Sequence, residues 1–426
     1  MSFSLNPFLQ TAVISVNVIG LWDAYLLLRQ RRALKTKEIP PYFTNSYTDE
    51  EFSQTQAYGV ECSTFSLFQQ AKSLVTGNLS IFLRLSSRLY YLVSQCTGLT
   101  AGSFSHNYTV AVIGDLVSTT LDIPFSYYDN FHREKRYGFN TMTKTEFVKD
   151  IVKSLLLRAA FLYPVSIKLV QFVVQRFGER FPLYLFSGMS VMLLFFLLAM
   201  PTVIQPLFNK YTPLDPESST YKKILQLCEK LNFPVKSVLV VDGSRRSHHS
   251  NAYFYGFGRK HIVLYDTLLE QLKGDDEGLL AVLCHELGHW KHNHMYVNIA
   301  VTLGQLMLFC YGARLVIFNK LSYEAFGFRE VDPVMGISIF AEVFYTPVDM
   351  LIRYAFCYIS RRNEFQADRF AVTMGYCESL KRGLLKIMKE NRGSLTSDPL
   401  YSAFHHTHPP VLERLQAIDE ELKKQK

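Results

Sequence analysis

His285, Glu286 and His289 stand in the order His-Glu-x-x-His within LCHELGHWKHNH, residues 283–294. On a helix, positions four apart share one face about one turn apart, so two imidazoles can point at one ion. A catalytic zinc takes three protein ligands and leaves a fourth position for water, whose proton a nearby carboxylate accepts. The motif is thus half of a zinc site, with Glu286 as the base. The apolar run Leu279 to Leu283 agrees with a helix. The competing reading is a solvated helix that happens to carry histidines, and only a third ligand separates the two. Cys284 points about 100° away from His285 and is not expected to ligate.

Those residues need elements to position them. The chain has 426 residues, 33 Phe, 25 Tyr and a 48% hydrophobic share, which point to a membrane protein. Its mean hydropathy of only +0.06 requires apolar blocks separated by sizeable aqueous parts. The net charge of +8 comes with no recognisable nucleic-acid module, so membrane topology explains it better and no nucleic-acid partner is expected. Seven scattered cysteines give no disulfide framework and read as mostly free thiols.

The expected fold is mainly α and polytopic, with about seven transmembrane helices and a cytosolic zinc metalloprotease region containing a small β element. Residues 1–208 form an N-terminal transmembrane region with spans at about 7–28, 78–93, 108–123, 155–174 and 184–204. Arg84 and Arg88 interrupt the second of these, and 40–61 reads as a cytosolic loop. Residues 209–294 are aqueous and carry the motif, with an amphipathic helix at 221–231 and a short strand at 238–241. The last two spans fall within 295–359, and 360–426 is a C-terminal cytosolic region; all four parts make one catalytic unit. The cluster Arg29, Arg31, Arg32, Lys35 and Lys37 places the N-terminus in the lumen and the motif and C-terminus on the cytosolic side.

This topology says where to look for the missing ligand. Whatever completes the site must lie on the same membrane side, which the chain regains at about Ser360, and the next residues are SRRNEFQAD. Glu364 is the expected third zinc ligand. Asp368, four residues on and on the same helix face, fits a partner that accepts the free ring N–H of a ligating histidine. The alternative is that both acids merely neutralise Arg361, Arg362 and Arg369. His292 and His294 are expected to stay outside the site.

HELGHW with SRRNEFQAD downstream, HSNAYFYGF from His249 and HPPVLERL from His408 together resemble the type I CAAX prenyl protease family, integral-membrane gluzincin endopeptidases. YLLLRQR from Tyr25, PFSYYDNF from Pro124, PLFNKYTPL from Pro206, VVDGS from Val240 and VLYDTLL from Val263 extend the resemblance over nearly the whole chain, with agreement weakest between about 59 and 106. It implies helices around a water-filled chamber, one Zn2+ per chain, and removal of the last three residues from farnesylated or geranylgeranylated CAAX proteins or peptides. It also implies that Asn251 and Ala252 belong to an edge strand that pairs with substrate, and that His408 and Arg414 lie near the reacting carbonyl, where a positioned donor is worth ~3 kcal/mol.

Membrane lipid is the expected surrounding partner. The tail Lys423-Lys424-Gln425-Lys426 resembles a dilysine retrieval signal, giving a multi-pass protein of the endoplasmic reticulum membrane, with the inner nuclear membrane as a second location. Asn107-Tyr108-Thr109 is a glycosylation triplet close to a span. Two rival functions remain at this point: a quality-control zinc protease of membrane proteins, and a non-enzymatic scaffold or transporter with a structural metal, which would need four protein ligands.

Overall fold

The computed structural model describes residues 6–256 and 258–425. Phe257, inside HSNAYFYGF, and Lys426, the last residue of the dilysine-like tail, lie outside the described residues.

Helices dominate, and their ends follow local chemistry. Asn6 caps Pro7–Ala33 by accepting from Phe8 N, and Arg31 and Arg32 sit in its last turn, where cations complement the helix dipole. Thr48 and Glu51 form a capping box that starts Asp49–Phe82, so much of the polar stretch expected to be a loop is helical. The stretch expected as one span over 78–93 is divided instead. One helix ends at Phe82, Arg84 takes a left-handed φ of 51°, and Leu85–Thr97 begins anew.

Among the described residues, four stretches are long and apolar enough to cross a membrane: Pro7–Ala33, Lys144–Phe208, His294–Ile317 and Pro333–Thr373. The second contains two of the expected spans and turns at Gly178, whose φ of 50° glycine adopts without strain. Neighbouring helices close a ring. Pro7–Ala33 packs on Asp49–Phe82, and contacts continue through Leu85–Thr97, Phe104–Tyr128, Tyr163–Phe177, Phe181–Ala199 and His294–Ile317 to Phe340–Tyr345, which returns to Pro7–Ala33. Charged pairs join helices across this ring, Lys72 with Asp122 and Arg158 with Asp115. Such pairs belong in a wet or protein-lined interior rather than against lipid. Asn107 is fully buried and donates to Asp332 Oδ1 at 3.2 Å, which removes the glycosylation reading of its triplet.

The aqueous part contains a sheet of β1 (Tyr211–Pro213), β2 (Val235–Val241), β3 (Ala252–Tyr255) and β4 (Lys260–Tyr265) in the order β1-β2-β4-β3. β2 and β4 run parallel, while β1 and β3 flank them antiparallel, so β3 is an edge. Val238, Ile262 and Leu264 of the sheet share one core with Ile224 of Ser219–Lys230, with Leu280, Leu283 and Leu287 of Asp276–Lys291, and with Leu380 and Leu415 from the C-terminal helices. Each such side chain contributes about 1.5–3 kcal/mol by leaving water. This core holds the motif helix fixed from one side and leaves its other face for chemistry.

Candidate metal centre

Asp275 starts the motif helix Asp276–Lys291 by accepting from Gly278 N at 3.0 Å. Opposite its apolar face, His285 and His289 bring their Nε2 atoms to 3.3 Å from each other. The helix Thr346–Thr373, which continues without a break from Pro333, carries Glu364 and Asp368 to the same place. Gly288 permits that approach. A Cβ there would stand 3.1 Å from Ala367 Cα and 3.3 Å from Ala367 O, so any side chain would separate the two helices.

Glu364 is 2% exposed, with Oε2 3.4 Å from His285 Nε2 and Oε1 3.1 Å from His289 Nε2. Ligand atoms of His285, His289 and Glu364 all lie within 4.8 Å of one another. Glu364 Oε2 is buried and accepts no well-directed hydrogen bond, although His408 Nδ1 lies 2.9 Å away and Arg414 Nη1 3.5 Å. Two imidazole nitrogens facing each other beside an unsatisfied buried carboxylate oxygen fit a shared cation, and two histidines with one glutamate are a zinc-type donor set.

Behind these residues stands a second layer. Asp368 Oδ1 accepts from His285 Nδ1 at 2.8 Å, which leaves the Nε2 lone pair for the centre. Arg414 clamps Asp368 with two bonds, Nε to Oδ2 at 2.8 Å and Nη2 to Oδ1 at 2.6 Å. Burial pushes the Glu286 carboxyl up against the pull of His285 and His289. A raised carboxyl pKa suits a base working near neutral pH.

The remaining expected residues arrive from distant parts of the chain. His408 precedes Val411–Gln425 and keeps its side chain 67% exposed while facing Glu364. Arg414 is 7% exposed and points its guanidinium at Asp368 and His285, a placement its position in HPPVLERL did not reveal. Asn251 is exposed immediately before the edge strand β3, its carbonyl accepting from Tyr265 N at 3.1 Å and its Oδ1 from Ala252 N at 2.8 Å. β3 packs beside the motif helix, and Phe254 lines the same cavity as His289.

That cavity, about 310 Å³, is lined by His289 and His294 and otherwise mainly by Leu193, Leu197, Phe254, Met295 and Ile299. The same five residues also line a larger cavity of about 890 Å³. Two further features were not legible in the sequence, the packing role of Gly288 and the surroundings of His294. The Asn293 between two histidines was the available signal for the second, since asparagine tolerates a left-handed turn.

Comparison with known proteins identifies the family. Residues 30–210 match the family described as CAAX prenyl protease N-terminal, five membrane helices, and residues 216–422 match peptidase family M48. The chain is 37% identical over 426 residues to a CAAX prenyl protease 1 homolog of Arabidopsis thaliana, covering 98% of this chain and 99% of that one. It is 33% identical to CAAX prenyl protease 1 of Saccharomyces cerevisiae, covering 93% and 92%. The crystal structure of S. mikatae Ste24p superposes with a TM-score of 0.90 at 30% identity, covering 97% of this chain and 99% of that one.

Proposed function

Since the chain belongs to the CAAX prenyl proteases of peptidase family M48, we propose that this membrane metalloprotease uses zinc to remove the last three residues of farnesylated or geranylgeranylated CAAX proteins. The carrying observation is the convergence of His285, His289 and Glu364 beside an apolar cavity that His289 lines. In this reaction the prenylated cysteine lies directly before the bond that breaks, so its lipid must leave the metal site into an apolar space. Each CH₂ buried there contributes about 0.8 kcal/mol.

His285, His289 and Glu364 would hold the zinc. When bound, zinc supplies Lewis acidity that makes water nucleophilic near neutral pH. Glu286 takes a proton from the attacking water and returns it to the departing amine. His408, exposed beside Glu364, is positioned to donate to the carbonyl oxygen as negative charge develops. Asn251 and Ala252 present the edge of the sheet to an extended substrate backbone, the β-augmentation mode of peptide recognition. Arg414, fixed by its two bonds to Asp368, brings its Nη1 to 3.5 Å from Glu364 Oε2, which keeps it near the reacting carbonyl.

In this proposal the site lies on the cytosolic side of the endoplasmic reticulum membrane, where prenylated proteins meet the bilayer. The scaffold alternative requires four protein ligands, and among the described residues three gather. The test is the purified full chain with a farnesylated CAAX peptide. Cleavage lost on chelation and restored by Zn2+ supports the reading; chelator-resistant cleavage refutes it.

A further inference from the structure

Two histidines of the opening motif remain unused, and one of them touches a metal ligand. The motif helix ends at Lys291, Asn293 turns the chain with a left-handed φ of 59°, and a new helix starts at His294. The turn folds His294 back so that its Nδ1 lies 2.8 Å from His289 Nδ1. His294 is 4% exposed. Its Nε2 lies 3.2 Å from Gln366 Oε1, and Gln366 Nε2 lies 3.1 Å from His292 Nδ1.

We infer that His294 is a positioning residue for His289, with its own tautomer set by Gln366. An amide oxygen only accepts, so His294 carries its proton on Nε2 and presents a bare Nδ1. His289 must then donate from its own Nδ1, which leaves its Nε2 lone pair free to face Glu364 and the ion. The amide nitrogen of Gln366 donates onward to His292, which holds the amide in that orientation. His285 obtains the same tautomer from the anionic Asp368, whereas His289 obtains it from a neutral His294–Gln366 pair. The two ligands from one helix are therefore oriented by chemically different partners. Glu364, Gln366 and Asp368, from a single stretch of the second helix, serve the ion and both histidines.

The inference rests on the reading of His289 as a metal ligand, and one set of measurements separates the two. Zn2+ affinity is measured by chelator competition on the full chain, with the melting temperature of the zinc-free protein alongside. If the unaltered protein does not bind Zn2+, or His289→Ala binds as it does, the metal reading itself fails. If both behave as expected, His294→Phe, which keeps bulk but has no acceptor, should weaken Zn2+ binding about ten- to hundredfold. His294→Asn, whose Oδ1 stands where Nδ1 stood, should recover most of that loss, a recovery that a merely space-filling role would not produce. Unchanged affinity in His294→Phe, or a loss that His294→Asn does not recover, overturns the inference. Should His294→Phe not fold, the exposed Gln366 supplies the decisive pair: Gln366→Leu should weaken Zn2+ binding while Gln366→Glu, which retains the acceptor, should not. Equal affinity in those two variants also overturns it.

Discussion

Arg414 stands directly behind His285, with its Nη2 2.6 Å from Asp368 Oδ1 and 3.3 Å from His285 Nδ1. Arg414 and Asp368 are almost fully buried, so each is the other's main compensation for lost water. Replacing Arg414 with Met should cost about 3–5 kcal/mol, because it strands a buried carboxylate. Arg414→Lys should not restore the loss, since an ammonium cannot make the two parallel bonds. Chemical denaturation of the zinc-free protein in detergent checks both.

Glu286 lies on the motif helix next to His285 and is not among the three residues whose ligand atoms gather at the centre. Glu286→Gln should therefore keep stoichiometric zinc by elemental analysis and lower turnover of a farnesylated peptide by about 10²–10⁴-fold. Near-normal turnover would remove Glu286 from its role as base.

Gly288 sets the separation of the two ligand-bearing helices. A methyl group at 3.1 Å from the Ala367 backbone cannot be relieved by rotating a side chain, so the helices must part by a few tenths of an ångström. Gly288→Ala should lower stability by about 1–3 kcal/mol, as overpacking does. It should also weaken zinc, since Glu364 moves away from both histidines. Unaltered zinc affinity in a folded Gly288→Ala protein would show that the centre tolerates the shift.

The cavity beside His289 predicts selectivity for lipid length. Leu197→Trp fills space between the cavity walls. KM for a farnesylated peptide should rise by an order of magnitude or more, whereas a peptide carrying a short S-alkyl group should be cleaved almost as before. Equal effects on both substrates would place the prenyl chain elsewhere.

Asp398 ties the C-terminal region to the first helix and predicts an acid-sensitive contact. Its carboxylate accepts from Arg29 Nε at 3.0 and 3.1 Å and from the backbone of Leu400 and Tyr401 at 3.0 Å. Burial acts upward on its pKa, but Arg29 and the capping bonds outweigh it, and the net shift is downward from 3.8. Folding is therefore favoured by this group above about pH 4, and the contribution fades as pH falls through the lowered value. Asp398→Asn, which keeps the cap but gives up the carboxylate's charge, should show a shallower fall in melting temperature on acidification. Parallel curves for the two proteins would argue against the contact.

The three residues that gather at the candidate metal centre were legible because helix periodicity and membrane topology are local rules. Spacing of four aligned His285 with His289, and the expected return of the chain to the motif's side of the membrane pointed to Glu364 and Asp368. The family resemblance supplied Asn251, His408 and a substrate class that no spacing encodes. The division of the second span at Arg84 was written only faintly, as two arginines in a short apolar run. Tertiary structure alone decided that Arg414 braces Asp368, that Gly288 lets two helices nearly touch, and that His294 folds back on His289. Each of these depends on where separate helices meet or where one left-handed residue turns the chain. Such placements arise from packing across the fold, so the residue types along any single segment leave them open.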